Sequence, residues 1–188
     1  MVIGLDFDGT INNMIDTWVE WLNNKYATTV KVEDIVDWEL SKVFPNLTKD
    51  ELFEPLNTPE FWYYVTIKQD AVNIIERLIK DGHEIYIVTS SHYRILQPKL
   101  DNCLFVHFPF LKKENVIITY NKSLIKCDIL LDDAEHNLKD FNGIKVLFDA
   151  SYNKNSAVED FRVNSWKDFY ELVCELKIVG IGEKCNGK

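Results

Sequence analysis

Apolar positions recur along this chain at two periods, and the alternation of those periods predicts its elements. Residues 1–8, MVIGLDFD, form a short apolar run closed by Asp6 and Asp8, which predicts a buried strand ending in carboxylates. Ile15, Trp18, Val19, Leu22 and Tyr26 then recur at helical spacing. Residues 28–68 are less regular. They hold NLTKDELF, with Thr48 as a helix N-cap signal and Glu51 three residues on, followed by the aromatic EFWYYV. A helical pattern resumes over 70–81 (Ala71, Ile74, Ile75, Leu78, Ile79) and closes on Asp81-Gly82. Residues 84–91, EIYIVTSS, predict a strand ending in hydroxyls, and 92–102 predict a helix. Residues 115–123 give a short strand and a polar turn carrying Lys122. Residues 127–138 give a strand running into Asp132 and Asp133 and then a helix start. A strand at 144–150 and a helix at 165–177, capped by Ser165, complete the pattern, with 178–188 expected as a tail of low order.

Strands that alternate with helices predict an α/β fold with a mostly parallel sheet. Residues 14–68 interrupt the alternation, so they are expected as a helical insertion after the first strand, with 1–13 and 69–177 forming the core. In such folds polar residues at the carboxyl ends of strands converge on one crevice. Here Asp6 and Asp8, Thr89 and Ser90, Lys122, and Asp132 and Asp133 all stand at or just beyond strand ends.

Composition narrows the setting. The chain has 188 residues, 46% of them hydrophobic, enough for one well-filled core. No apolar run reaches the ~18 residues of a membrane span, and the N-terminal run lacks the basic flank of a signal peptide. Cys103, Cys127, Cys174 and Cys185 are widely spaced, without zinc-like spacing, and are expected as reduced thiols of a cytoplasmic protein. A formal charge of -9 argues against a nucleic-acid polymer as partner but not against a small anion held in a local site.

Each fragment of the pattern has an ordinary structural reading as a cap or a solvated side chain. Their joint order, Asp-x-Asp-Gly-Thr, then hydroxyl, then Lys, then Asp-Asp, is hard to obtain from caps alone. Clustered carboxylates raise one another's pKa values unless a cation sits among them, and hard oxygen ligands suit Mg²⁺. With a phosphate neutralised there, one carboxylate can attack phosphorus while a second moves protons to the leaving oxygen and from water. Lys122, Thr89 and backbone N–H groups would hold the phosphoryl oxygens.

DFDGT (6–10), VTS (88–90), Lys122 and LLDDAEHNL (130–138) resemble the four signature motifs of the haloacid dehalogenase phosphatases. Residues 61–91 and the later KVLFDASYNKN and VNSWKDFYELV are similar to the 5'(3')-deoxyribonucleotidases of that superfamily. The resemblance implies a three-layer α/β/α Rossmann-like sandwich with a small helical cap inserted after the first strand. It implies Asp6 as the nucleophile, Asp8 as the general acid/base, and Mg²⁺ on Asp6, Asp8, Asp132 and Asp133. Asp132 is favoured as a direct ligand, with the choice between it and Asp133 open. Phosphate is expected against Asp8, Gly9, Thr10, Thr89, Ser90 and Lys122. The chain departs from the family pattern at Asn13, Met14, Gln69-Asp70 and Tyr120, and Met14 and Tyr120 fall where a nucleoside would be read. A receiver domain shares some of these residue types, but its acidic pair comes first along the chain.

The insertion is rich in aromatics, most of them expected to pack the cap on the core. A nucleobase needs flat apolar walls, so Met14, Trp38, Phe61, Trp62, Tyr64 and Tyr120 are the candidate substrate contacts. His92 and His136 read as surface or capping residues. The expected partner is a nucleotide or another small phosphomonoester, with no membrane and no nucleic-acid polymer, for a monomer or homodimer. The rival readings are a phosphatase for a different small ester and a catalytically idle binding protein of the same fold.

Overall fold

The structure is a computed structural model that describes residues 1–37 and 39–180; Trp38 and the tail residues 181–188, with Cys185, lie outside the described residues. Six strands form one sheet: β1 (Val2–Leu5), β2 (Glu84–Thr89), β3 (Val116–Ile118), β4 (Ile129–Asp132), β5 (Ile144–Phe148) and β6 (Phe161–Val163). Their order is β3-β2-β1-β4-β5-β6 and every pairing is parallel. Leu5 of the central strand stands opposite Ile87 of β2 and Leu131 of β4.

The helices are α1 (Met14–Tyr26), α2 (Lys49–Phe53), α3 (Ala71–Lys80), α4 (Tyr93–Lys99), α5 (Phe105–His107), α6 (Glu135–Leu138) and α7 (Trp166–Ile178). Strand alternation explains the layers, since successive side chains point to opposite faces. Ile129, Leu131, Val146 and Phe148 join one apolar cluster with Ala71, Ile75 and Leu78 of α3 and Trp166, Phe169 and Val173 of α7. Leu130 and Leu147 face the other way and pack with Leu138 of α6 and Phe141. Helices on both faces of a parallel sheet make the three-layer α/β/α sandwich.

Local signals explain the boundaries. Thr48 caps α2, accepting from the Glu51 N–H at 3.3 Å while Glu51 accepts from the Thr48 N–H at 2.8 Å. The Ser165 hydroxyl accepts from the Asp168 N–H at 3.1 Å at the start of α7. At the end of α3, Gly82 takes φ +87°, its N–H donates to the Ile79 carbonyl, and the His83 N–H donates to Leu78. That paired pattern stops the helix at the Asp81-Gly82 expected from sequence. Two expectations need correction. The helix expected over 92–102 ends at Lys99, where the backbone widens into a π-type turn over Leu100–Leu104 before α5. Strand β6 was not expected, because three residues beside an acidic turn carry too little pattern to register.

Residues 14–66 hold α1, α2 and several 3₁₀ turns. The two ends of this segment meet: Asn12 bridges Ile67 in antiparallel fashion. The Asn13 N–H donates to the Thr66 carbonyl at 2.8 Å, and the Lys68 N–H to Ile11 at 2.9 Å. Ile15, Trp18, Leu22, Phe44, Leu52, Phe61 and Trp62 of the segment belong to the same apolar cluster as the sheet.

Candidate active site

Between β1 and β4 the chain connections reverse direction, and a crevice opens there at the carboxyl ends of the strands. The Asp6 N–H still pairs with the Leu131 carbonyl at 2.9 Å, so Asp6 stands one residue beyond β1 with its position fixed by β4. The chain then folds back on itself, with the N–H groups of Ile11 and Asn12 donating to the Phe7 carbonyl. This turn places Gly9 at φ +80°, and a Cβ there would collide with the Asp133 carboxylate, so only glycine fits. The buried Asn12 side chain clamps the turn. Its Oδ1 accepts from the N–H groups of Gly9 and Met14, at 3.1 and 3.0 Å, and its Nδ2 donates to Asp8 at 3.3 Å.

Four carboxylates surround the crevice. Asp6, Asp132 and Asp133 are buried, and each offers an oxygen within 4.8 Å of the others. Lys122, brought in by the turn after β3, donates to Asp6 and, at 2.6 Å, to Asp132. The other oxygen of Asp132 accepts from the Ala134 N–H at 2.9 Å and the Asn137 amide at 3.1 Å. Asp133 accepts from the Thr10 hydroxyl at 3.0 Å and from the Tyr152 hydroxyl, and the Asn153 amide holds its backbone carbonyl at 2.8 Å. Asp8 stands apart from this group. It accepts from Lys99, whose ammonium also donates to the Thr89 hydroxyl at 2.7 Å and the Ser91 hydroxyl at 2.9 Å.

Burial and crowding set the electrostatics. Burial pushes the Asp6 carboxyl well above the usual carboxylate range; Lys122 opposes the shift, and the charges of Asp132, Asp133 and Asp8 reinforce it. Burial and the neighbouring Asp132 raise Asp133 to about 7, against the hydrogen bonds of Tyr152 and Thr10. Burial works against the charge on Lys122, but Asp132 and Asp6 overcome it and hold the ammonium above its ordinary pKa. Burial also raises the Tyr152 hydroxyl well above the usual phenol value, with Asp133 adding to the effect, so Tyr152 stays a donor. Three carboxylates against one ammonium leave an excess of buried negative charge. A small, hard divalent cation fits this donor set of carboxylate oxygens.

The structure brings Asp6, Asp8, Thr89, Lys122, Asp132 and Asp133 to this one crevice. The hydroxyls of the expected phosphate set are already engaged: Thr10 donates to Asp133, and Ser90 donates to the Thr119 carbonyl at 2.9 Å. The aromatic candidates separate. Met14, Phe61 and Trp62 are buried in the apolar cluster, with the Trp62 ring centroid 5.3 Å from the Lys99 ammonium. Tyr64 is exposed and edges against Trp21 at 5.9 Å, and Tyr120 is exposed in the loop after β3. His92 accepts from the Arg94 N–H at 3.3 Å as the cap of α4. Lys99, Asn12, Ser91, Tyr152, Asn153 and Asn137 complete the site and were not singled out from sequence. Tyr152 and Asn153 fall in DASYNKN, a stretch quoted for its likeness to known phosphatases, and that likeness was their signal. Lys99 carried none, as a lone lysine ten residues beyond Thr89.

The family model for the 5' nucleotidase, deoxy (pyrimidine), cytosolic type C proteins matches residues 1–179. The chain belongs to this family. It is 32% identical over 175 residues to a 5'(3')-deoxyribonucleotidase of Clostridium acetobutylicum, covering 92% of this chain and 94% of that one. It is likewise 32% identical over 169 residues to a 5'(3')-deoxyribonucleotidase of Bacillus subtilis, covering 89% and 95%. Among solved structures, a haloacid dehalogenase-like family hydrolase from Streptococcus pneumoniae superposes with a TM-score of 0.63 at 12% identity, over 92% of this chain and 97% of that one. The six-stranded parallel sheet with helices on both faces is the haloacid dehalogenase fold, and this member of the nucleotidase family is a phosphoric monoester hydrolase. Among the described residues, no helix is long and apolar enough to cross a membrane, and Cys103, Cys127 and Cys174 are free thiols.

Proposed function

We propose that the enzyme is a Mg²⁺-dependent phosphatase of (deoxy)nucleoside monophosphates in the cytoplasm, working through an aspartyl phosphate on Asp6. The observation that carries this reading is Asp6 itself: a buried carboxylate held by Lys122 in a cluster with Asp132 and Asp133. The names of the curated relatives support the nucleotide as substrate. Asp6, Asp132, Asp133 and the backbone carbonyl of Asp8 would hold the metal ion. When bound, the ion supplies positive charge that offsets the repulsion between these carboxylates and the substrate phosphate.

In the first half-reaction an Asp6 oxygen forms a bond to phosphorus as the ester P–O bond breaks, and Asp8 gives its proton to the departing nucleoside oxygen. In the second, a water oxygen bonds to phosphorus and the bond to Asp6 breaks. Asp8 takes the water's proton, and inorganic phosphate leaves. Lys122 and the Thr89 hydroxyl orient the phosphoryl oxygens, while Gly9 and Thr10 keep the turn close to them. Preorganised donors of this kind act without reorganising during the reaction. Residues 14–68 serve as the cap over this site, with 1–13 and 69–177 as the catalytic core. Trp62 of the cap has its ring centroid 5.3 Å from the Lys99 ammonium that pairs with Asp8.

Phosphate release from a panel of deoxy- and ribonucleoside monophosphates, with and without Mg²⁺, tests the reading. Turnover of nucleotides well above that of simple sugar phosphates is expected. Equal rates on both would assign another small phosphate ester, and no turnover of any ester would leave a binding protein.

A further inference from the structure

Two buried lysines serve the crevice, and between them they pair with three of its four carboxylates. Lys122 takes Asp6 and Asp132, whereas Lys99 takes Asp8. Lys99 arrives from the last position of α4, where the helix opens into the π-type turn over Leu100–Leu104. Such widened turns are frequent at functional sites. The Lys99 side chain is fully buried, and its ammonium donates to Asp8 Oδ2, Thr89 Oγ1 and Ser91 Oγ, with the Ser90 carbonyl a longer fourth contact at 3.5 Å. Its charge also lies near two ring faces, 5.3 Å from the Trp62 centroid and 5.7 Å from that of Phe7. A buried ammonium is costly unless every one of its needs is met, and here each is met by a group of the site or its wall.

Asp8 is therefore held at both oxygens. Asn12 donates to Oδ1 from the turn after β1, and Lys99 donates to Oδ2 from α4. We infer that Lys99 is a positioning residue: it sets the direction of the Asp8 carboxyl toward the ester oxygen and ties it to the phosphate-side hydroxyl of Thr89. The inference rests on the aspartyl-phosphate chemistry proposed above. Lys99 makes and breaks no bond and keeps its own protons. It fixes where Asp8 stands in both half-reactions and offsets the negative charge that Asp8 carries between them. Lys122 touches neither Asp8 oxygen, so its contacts with Asp6 and Asp132 cannot replace this role.

The test compares leaving groups. p-Nitrophenolate departs without much help from an acid, whereas a nucleoside or alkyl alkoxide needs a proton from Asp8. For Lys99→Met, kcat is expected to fall about 100-fold or more on ethyl phosphate and on a nucleoside monophosphate, but less than about tenfold on p-nitrophenyl phosphate, in line with the usual worth of general acid catalysis. KM is expected to stay within about threefold on all three substrates. Equal losses across the leaving groups, or a raised KM with kcat kept, overturn the inference in favour of phosphate binding or plain packing. A second arm compares Asp8→Asn with Asp8→Asn/Lys99→Met, which leaves a neutral pair at the buried position should the single lysine variant fail to fold. The double variant is expected to match the single one within about threefold, and a further loss of about tenfold or more overturns the inference. Because ethyl and p-nitrophenyl phosphate are in the series, failure of the nucleotide reading shows separately, as the wild-type enzyme turning over simple esters as well as nucleotides.

Discussion

At the scale of single residues, the site is a set of buried charges that satisfy one another in groups. Asp6→Asn replaces one oxygen of the proposed nucleophile while keeping the shape of the side chain. Phosphatase activity is expected to fall about 1,000-fold or more with the folded circular dichroism spectrum retained, and unchanged turnover would remove Asp6 as nucleophile. Tyr152 acts at one remove, donating to Asp133 and fixing its orientation. Tyr152→Phe is expected to raise the Mg²⁺ concentration for half-maximal activity about 10- to 100-fold while leaving kcat at saturating metal nearly unchanged, as measured by metal titration. The residues legible in the sequence are those that end strands, because a parallel sheet aims every strand's carboxyl end at one edge. Lys99 and Asn12 were not legible for the converse reason. Their partners are set by how α4 and the turn after β1 pack, and neither spacing nor residue type reports that packing.

At the scale of elements, the periodic segments were the readable ones. Helices α1, α3 and α7 and strands β1, β2, β4 and β5 lie where the hydrophobic pattern puts them, and Thr48, Ser165 and Gly82 mark ends through chemistry visible in the sequence. The region between α1 and α3 was illegible in detail because short 3₁₀ turns and the five-residue α2 have no period to read. One boundary carries stored strain. Ala27 closes α1 at φ 52°, in the left-handed region where a Cβ is crowded by backbone. Ala27→Gly is expected to stabilise the protein by about 0.5–1 kcal/mol, measured as a shift of the urea midpoint at constant slope. No shift, or a loss, would mean that the added freedom of glycine in the unfolded chain cancels the relief.

At the scale of the whole molecule, acid and the proposed metal ion are expected to act on stability through the same cluster. Asp133 is raised by burial and Asp132 to about 7 in the folded protein, and burial raises Asp6 as well, so these groups bind protons more tightly folded than unfolded. Their contribution is therefore greatest below the ordinary carboxylate range and is lost as pH climbs toward the folded value of Asp133, about 7. Without metal, the cluster's contribution to the thermal midpoint is expected to decline from pH 5 to pH 7.5. Added Mg²⁺ is expected to raise the midpoint more at pH 7.5 than at pH 5, because the ion competes with those protons. An equal rise at both values would place the ion elsewhere. Chelation is expected to abolish turnover and Mg²⁺ to restore it.

The meeting of Asn12 with Ile67 bears on how such a protein can diversify. The chain leaves the sheet layer and returns to it through one pair of neighbouring backbone hydrogen bonds, Asn13 to Thr66 and Lys68 to Ile11. Whatever lies between those residues can lengthen, shorten or be exchanged by grafting, provided its ends still arrive side by side and its apolar face still covers the sheet. Asp6 and Asp8 would keep their places through every such exchange. Selection can thus rewrite the inserted segment while the carboxylates at the end of the first strand are inherited unchanged.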